Sequence, residues 1–302
     1  MRQLGKTGLQ VSPLGIGGGA GVQSKDILYA FDQGINYFFF SSDLHHCIYQ
    51  HSVEALRTLC GQGSAARDKI VLATVSYVNH PDKILPIIVD QFAELRIDYI
   101  DVFHWGWITD DYDFAPLVKR ARQLKGDSII TRGIRHLQLM DAQYQAQEIN
   151  EELLKRGLVR FVGASFHSRA MARMWMRNLD VLMLRYNIAH MGVEQDVVPF
   201  LYRDKERDPG IVVFNVAHEG TRFFHMPPPG YTDRFIPSIP DCYRFALSQP
   251  WVDVVLTGLS SRKEVDLALE ALEKGPLSEQ ECEMMRCYGA LYPQLHIPPG
   301  LL

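Results

Sequence analysis

The sequence lacks the features that mark several large classes of protein. No apolar run approaches the roughly 18 uncharged residues of a membrane-spanning helix, and the opening MRQLGKTGLQ has no apolar signal-peptide core. Basic residues are not in excess: 31 Lys and Arg stand against 35 Asp and Glu, a net charge of −4, so no nucleic-acid partner is expected. The five cysteines form no CxxC pair, which predicts reduced thiols in a cytoplasmic protein.

Apolar residues, by contrast, are plentiful and make up 47% of the 302 residues. We therefore predict one domain spanning residues 1–302. Short apolar runs alternate with helix-length segments, which is typical of parallel strands covered on both faces. Eight such units predict an α/β fold, a (β/α)8 TIM barrel. The predicted barrel strands are Leu14–Gly18, Tyr37–Phe40, Lys69–Val75, Tyr99–Trp105, Val159–Ser165, Val181–Arg185, Gly210–Asn215 and Val252–Gly258.

Further elements are predicted at both ends of the chain. Two short β-prone runs flank Lys6-Thr7-Gly8, which indicates an N-terminal hairpin. Ser24 is predicted as the N-cap of a helix over Lys25–Gln33, and a C-terminal helical extension follows Pro276.

Two stretches are longer than such a scaffold needs, residues 125–157 and residues 216–240. Loops at the carboxyl ends of barrel strands build the site in this fold, so the second stretch is a candidate pocket wall. A surface loop with no role in binding is the alternative.

Four motifs carry a resemblance to a known family. LGKTGLQVSPLGIGG, GINYF, RIDYIDVF and KRGLVRFVGAS together resemble the aldo-keto reductases, from the opening hairpin to the eighth strand. The resemblance implies the barrel with its N-terminal hairpin. It also implies NADP(H)-dependent carbonyl reduction by an Asp, Tyr, Lys and His tetrad, which can be checked position by position.

All four tetrad positions hold other residues. With Asp43-Leu44-His45 aligned on the family's D-V-Y, the Tyr position is His45 and the Asp position, five residues earlier, is Phe40. The Lys position after VLAT is Val75, and the His position is Gly106. Carbonyl reduction needs an acid that protonates the oxygen, and the tetrad Tyr serves only with support from Lys and His. The resemblance therefore implies the fold without the usual reductase chemistry.

The cofactor site that the resemblance implies is also eroded. Of the Ser-Asn pair that holds the nicotinamide carboxamide only Ser165 is kept, although the stacking aromatic survives as Phe214. A phosphate-binding turn resembles Gly258–Arg262, in which Gly258 and Arg262 are the candidate contacts. We expect no cofactor, with NADP(H) as the alternative.

Polar and aromatic groups are predicted to collect at the barrel mouth. They are His45, His46, His104, Trp105, Trp107, His167, Arg185, His218 and Glu219. Alternation along the fourth strand places His104 on the same inward face as Gly106. Arg185, on a strand entering the pocket, implies an anionic ligand or a buried carboxylate such as Asp101. The catalytic candidates are His45, His104, Arg185 and Asp43.

A metal site built from His45, His104 and His218 with Asp43 or Glu219 is an alternative to bare imidazole acid–base chemistry. No HxH or HExxH spacing supports it, so no metal is assigned.

Three functions from different classes follow. The favoured one is non-redox acid–base chemistry (elimination, cyclisation or isomerisation) on a small molecule, because the pocket has exchanged its polar groups rather than lost them. The alternatives are an NAD(P)H-dependent oxidoreductase with an unusual acid, and a non-catalytic binding barrel with residues 125–157 as its interface. The expected partner is a small, anionic molecule, with no membrane association.

Overall fold

The computed structural model describes residues 1–43, 46–78, 80–109, 145–217, 227, 231 and 235–291, with only the main chain of His46. The hairpin is β1 (Arg2–Gln3) and β2 (Gln10–Val11). The barrel strands are β3 (Leu14–Gly17), β4 (Tyr37–Phe40), β5 (Val71–Ser76), β6 (Ile100–Ile108), β7 (Val159–Phe166), β8 (Val181–Arg185), β9 (Gly210–Phe214) and β10 (Val254–Gly258).

The described helices surround these strands. They are α1 (Ser24–Asp32), α2 (His46–Tyr49), α3 (Val53–Cys60), α4 (Pro81–Leu95), α5 (residues 145–155), α6 (Arg169–Trp175), α7 (Val193–Asp196), α8 (Ile239–Leu247), α9 (Arg262–Lys274) and α10 (Glu279–Ala290). Short 3-10 turns occupy Gly5–Thr7, Gly18–Ala20, Gln50–Ser52, Arg67–Lys69 and Val198–Phe200. None of the helices in this part of the chain is long and apolar enough to cross a membrane.

The eight barrel strands close on themselves in the order β10-β3-β4-β5-β6-β7-β8-β9, and each neighbouring pair is parallel. The predicted (β/α)8 barrel is thereby confirmed. The apolar runs gave the strands because both faces are buried, one inside the barrel and one under the helices. The largest difference is β6, which continues to Ile108, three residues past the predicted end at Trp105.

The N-terminal hairpin covers the amino ends of the strands. Lys6 N donates to Asp208 O at 2.8 Å, and Leu4 is fully buried against this end. A Cβ on Gly5 would lie 2.2 Å from Gly210 N, and Gly5 has a φ of +46°. Only glycine accommodates both constraints, so the hairpin sits tightly on the end of the barrel opposite the mouth.

The predicted cap of α1 is wrong by one residue. Gln23 is the N-cap, and Ser24 is the first helical residue. The Ser24 hydroxyl donates to His51 O at 2.8 Å and so ties α1 to the turn before α3. Complete capping boxes begin α8 at Ser238 and α10 at Ser278.

A buried ion cluster joins three strands at the amino end of the barrel. One carboxylate oxygen of Asp101 accepts from Arg67 Nη1 at 2.7 Å and from Leu72 N at 2.9 Å. The other accepts from Arg160 Nη1 at 2.8 Å. Of the two partners offered for Arg185, an anionic ligand or a buried carboxylate such as Asp101, the choice of Asp101 is wrong. Asp101 lies near the start of β6, whereas Arg185 ends β8 at the opposite end of the barrel.

Candidate functional site at the barrel mouth

The carboxyl ends of the barrel strands define the mouth, and strand register shows which side chains enter it. Residues paired across neighbouring strands face the same side of the sheet. Arg185 pairs with Phe214, and Gly17 pairs with both Gly258 and Phe39. The last inward-facing positions of the strands are Gly17, Phe39, Val75, Gly106, Ser165, Arg185, Phe214 and Gly258.

A β-bulge alters the mouth at the end of β6. Trp105 pairs with Ala164 and Ile108 with Phe166, so β6 carries one residue more than β7 across this interval. Within the bulge Trp107 has a φ of +57°, a left-handed conformation that is a genuine outlier for a bulky side chain. The bulge lies in the part of β6 beyond its predicted end, where the Trp107 ring contacts the rings of Tyr77 and His167.

Five rings, which we call the aromatic rim, run around the mouth from α2 to β9. The hydroxyls of Tyr49 and Tyr77 are 3.1 Å apart. Ring centroids are separated by 6.4 Å for Tyr77 and Trp107, by 5.9 Å for Trp107 and His167, and by 5.4 Å for His167 and Phe214. The rim is thus an unbroken series of contacts between aromatic side chains that leads from α2 to β9.

The two phenols of the rim stay protonated. Burial raises the pKa of Tyr77 to about 12, and burial with the neighbouring Tyr77 raises the pKa of Tyr49 as well. In a hydroxyl–hydroxyl pair only one proton lies between the oxygens, so the pair can donate another proton outward.

The cation of the mouth, Arg185, lies beside the imidazole of the rim. The side-chain oxygen of Asn215, in the amide orientation that faces it toward Arg185, accepts from Nε and Nη2 at 3.2 Å each. Desolvation among the rings, together with the charge of Arg185, lowers the pKa of His167. His167 nevertheless keeps an exposed face. The mouth therefore offers a neutral imidazole beside a guanidinium.

Asp43 holds the loop that carries Tyr77. One carboxylate oxygen accepts from Ser41 Oγ at 2.8 Å, and the other accepts from the main-chain N of Tyr77 at 2.6 Å and of Val78 at 3.3 Å. In this arrangement the carboxylate positions a rim residue. Its predicted catalytic role stays a prediction.

His104 faces inward as predicted, but one layer below the mouth. Its side chain is 0% exposed, and its Nδ1 lies 3.2 Å from Thr74 O. Phe39 packs edge-on against the imidazole at 6.0 Å, and a Cβ on Gly163 would approach it within 2.9 Å. Burial lowers the pKa of His104 to about 4, so the ring is neutral. No described surface gives a substrate access to it.

Two of the residues expected near the mouth face the other way. Phe40 is in register with Thr74, and Thr74 with Phe103, whose ring packs against Trp105. The indole of Trp105 donates to Asn150 of α5, outside the barrel. Phe40 and Trp105 therefore face the covering helices, and it is Phe39, not Phe40, that enters the interior.

Gly106 has no room for any side chain. A Cβ there would lie 2.6 Å from Ser76 O and 2.8 Å from both Tyr77 Cδ1 and Val75 Cγ2. Apolar and aromatic atoms of β5 and its loop thus fill the space beside β6.

Three predicted groups lie outside the described residues: His45, His218 and Glu219. The described residues contain no group of three or more His, Cys, Asp or Glu side chains placed to hold a metal. Of the long stretches, residues 145–155 of the first form α5, and most of the second lies outside the described part.

Comparison with solved structures identifies the fold. An aldo-keto reductase from Bacillus halodurans, in its holo form, matches with a TM-score of 0.72 and 21% identity over 97% of this chain and 98% of that chain. The chain has the aldo-keto reductase fold. A Klebsiella pneumoniae aldo/keto reductase in complex with NADP and acetate matches with a TM-score of 0.67 and 15% identity, covering 97% and 96% of the two chains. No family model and no curated protein sequence matches.

At these sequence identities the matches show the aldo-keto reductase fold alone. The activity has to be argued from the site itself. A further match, a putative aldo-keto reductase from Pseudomonas aeruginosa, has a TM-score of 0.60 and 19% identity over 90% of this chain and 95% of that chain.

Within the aldo-keto reductase fold, the four predicted cofactor contacts have the following surroundings. Ser165 faces the mouth with 7% of its surface exposed, and Phe214 packs against the ring of His167. Gly258 is exposed at the end of β10. Arg262 lies over the ring of Tyr29, with its Nε 3.5 Å from Asp266.

In the loop between β10 and α9, a carboxylate of the chain itself accepts hydrogen bonds from Ser260. One oxygen of Glu264 accepts from the main-chain N of Ser260 at 2.6 Å and from its hydroxyl at 2.9 Å. A phosphate at this turn would compete with that carboxylate.

Sequence reasoning missed Tyr49, Tyr77 and Asn215, and gave His167 no role. Alternation along β5 carries inward from Val75 to Tyr77, so this tyrosine could have been found by continuing the pattern past the strand. Asn tolerates the left-handed conformation that Asn215 adopts, with a φ of +57°. Nothing in the local sequence marks Tyr49.

Proposed function

We propose that this chain performs non-redox acid–base chemistry on a small anionic molecule at the mouth of the barrel. The observation that carries the proposal is the position of His167, a neutral and exposed imidazole of the aromatic rim, near the guanidinium of Arg185. A guanidinium binds an anionic group and stabilises negative charge that develops beside it. A neutral imidazole accepts a proton.

The groups of the mouth can divide the work of moving a proton. His167 is unprotonated near neutral pH and accepts a proton from a carbon or oxygen of the ligand. Its lowered pKa makes it a weak base, so the reaction depends on Arg185 to stabilise the anion that forms. The protonated Tyr49–Tyr77 pair supplies a proton elsewhere on the ligand. Taking a proton at one position and returning one at another is an isomerisation, and it consumes no oxidant or reductant.

The tetrad positions support loss of the reductase chemistry. Val75 and Gly106 face the barrel interior where the resemblance places Lys and His, and Phe39 occupies the inward position of β4. None of these side chains titrates. His45 stands at the Tyr position and keeps its predicted role as a further proton donor.

The residues present fit NADP(H) poorly. His167 packs on Phe214, the ring that the nicotinamide would need, and Glu264 occupies the donors of Ser260. Arg262 is held by Tyr29 and Asp266. We therefore place no cofactor in the reaction.

One observation favours a second candidate, an NAD(P)H-dependent oxidoreductase with an unusual acid. The hydroxyls of Tyr49 and Tyr77, 3.1 Å apart, could protonate a carbonyl oxygen in place of the tetrad Tyr. This candidate requires that His167 and Glu264 move aside for the nucleotide.

Isotope exchange tests the proposal directly. The purified protein is incubated in D2O with a small-molecule cell extract and no added nucleotide, and masses are followed. We expect at least one compound to gain deuterium or be converted by the wild type and by a His51→Asn control at an exposed histidine, but not by His167→Asn. Conversion seen only after NADPH is added would overturn the proposal and favour the reductase.

A further inference from the structure

Two residues at the mouth hold left-handed main-chain conformations. Trp107 and Asn215 both have a φ of +57°. Trp107 lies in the bulge of β6, and Asn215 directly follows β9. The conformation is strained at Trp107, because its side chain is bulky, whereas Asn tolerates it. Strained positions persist where the surrounding structure enforces them, and they cluster at ligand sites.

The conformation at Asn215 orients Arg185. The Asn215 side-chain oxygen accepts two N–H groups of the guanidinium, from Nε and from Nη2, each at 3.2 Å. The main-chain oxygen of Asn215 accepts from Asn187 Nδ2 at 2.9 Å, which fixes the residue from the other side. The acceptor is a neutral amide, so this contact turns the guanidinium without cancelling its charge.

Trp107, in its left-handed conformation, places its indole in the middle of the aromatic rim. Its indole stands edge-to-face with Tyr77, at an interplanar angle of 85°, and tilted by 48° against His167. His167 in turn contacts Phe214, the register partner of Arg185. Mutually tilted aromatic rings, which offer both faces and edges, and an oriented guanidinium thus lie side by side.

Resting on the proposed function, we propose that the ligand is a planar aromatic carboxylate. Its carboxylate lies on Arg185, because a guanidinium and a carboxylate match as paired donors and acceptors. Its ring lies against Trp107, His167 and Phe214, where offset or edge-to-face contacts favour another aromatic ring over an aliphatic one. The imidazole of His167 then faces the ring and its substituents.

Three matched probes test the carboxylate contact and the ring contact separately. Benzoate has both the charge and the ring, benzamide keeps the ring without the charge, and cyclohexanecarboxylate keeps the charge without the flat ring. Calorimetric titration of the wild-type chain should show benzoate binding about tenfold or more tighter than either relative. Equal affinity for benzoate and benzamide, or for benzoate and cyclohexanecarboxylate, would overturn the assigned class.

The variant Asn215→Gly distinguishes a ligand role from a structural one. Glycine adopts a φ of +57° without strain, so the fold should be retained, while benzoate affinity should fall because Arg185 loses its orienting acceptor. Arg203→Gly is the matched control: Arg203 is exposed, has a φ of +59°, and lies in the loop before β9. It should also retain the fold, with unchanged benzoate binding.

The outcomes distinguish this inference from the proposed function. Unchanged benzoate affinity in Asn215→Gly, with the fold intact, would contradict the role of Asn215 in recognition. Selective benzoate binding without any cofactor-free conversion in the extract would support the ligand class and reject the acid–base reaction. Conversion in the extract without selective benzoate binding would support the acid–base reaction and reject the ligand class.

Discussion

Replacing Asp101 by alanine should lower the free energy of unfolding by about 3–5 kcal/mol, the usual cost of removing one partner of a buried ion pair. The carboxylate of Asp101 is 0% exposed and receives two guanidinium groups and one main-chain N–H. The side chain of Arg67 is itself only 10% exposed. Without Asp101 its charge would remain buried, with only carbonyl oxygens and the ring of Tyr99 beside it.

Urea unfolding at neutral pH measures this loss. Asp98→Ala is the control, because Asp98 is an exposed carboxylate three residues away, where a change within about 0.5 kcal/mol is expected. Asp101→Asn, which keeps an oxygen for Leu72 N, should fall between the two. A loss below about 1 kcal/mol in Asp101→Ala would contradict the view that this cluster fastens β5, β6 and β7 together.

The second large effect concerns pH: we expect His104 to lower the free energy of unfolding as the pH falls. Burial holds the pKa of His104 at about 4, below the 6.5 of a free imidazole. Between these values the unfolded chain binds the proton and the folded chain does not, so stability falls as pH drops through this window. The contribution amounts to about 2 kcal/mol between pH 7 and pH 5.

His104→Leu should remove this part of the pH dependence. Leucine fills the interior beside Phe39 without a titrating group, although it gives up the contact with Thr74 O. The quantity compared is the change in unfolding free energy from pH 7 to pH 5, which should be smaller in His104→Leu than in wild type. A control variant, His51→Leu at an exposed position, should behave as wild type. Equal losses in all three proteins would show that His104 is protonated without penalty in the folded state.

The barrel was predictable because its strands are buried on both faces and therefore appear as apolar runs. β4 and β8 were predicted with their observed bounds. β6 was cut short because Gly106 and the half-buried Trp107 interrupt its apolar run, and a bulge cannot be read from composition.

The site was less predictable, since it depends on the direction in which each side chain faces. Counting from the D-V-Y motif placed Phe40 inside the barrel, whereas strand register places Phe39 there. The pairing of Arg185 with Asp101 ignored strand polarity: the two residues sit at opposite ends of parallel strands. The hydrogen bonds that Asn215 forms with Arg185, and Asp43 with the main chain of Tyr77, depend on loop geometry. The sequence does not encode this geometry in a local pattern.

Titration with NADPH and NADP+ tests the central claim most directly. Hydride transfer requires that the chain bind the nucleotide, whereas the proposed acid–base chemistry does not. Quenching of tryptophan fluorescence is a suitable signal, since Trp107 lies beside the ring of His167 at the mouth. With His167 packed on Phe214 and Glu264 bound to Ser260, we expect no saturable binding up to about 1 mM of either nucleotide. Saturation at micromolar concentrations would contradict the account and favour the alternative, a reductase with an unusual acid.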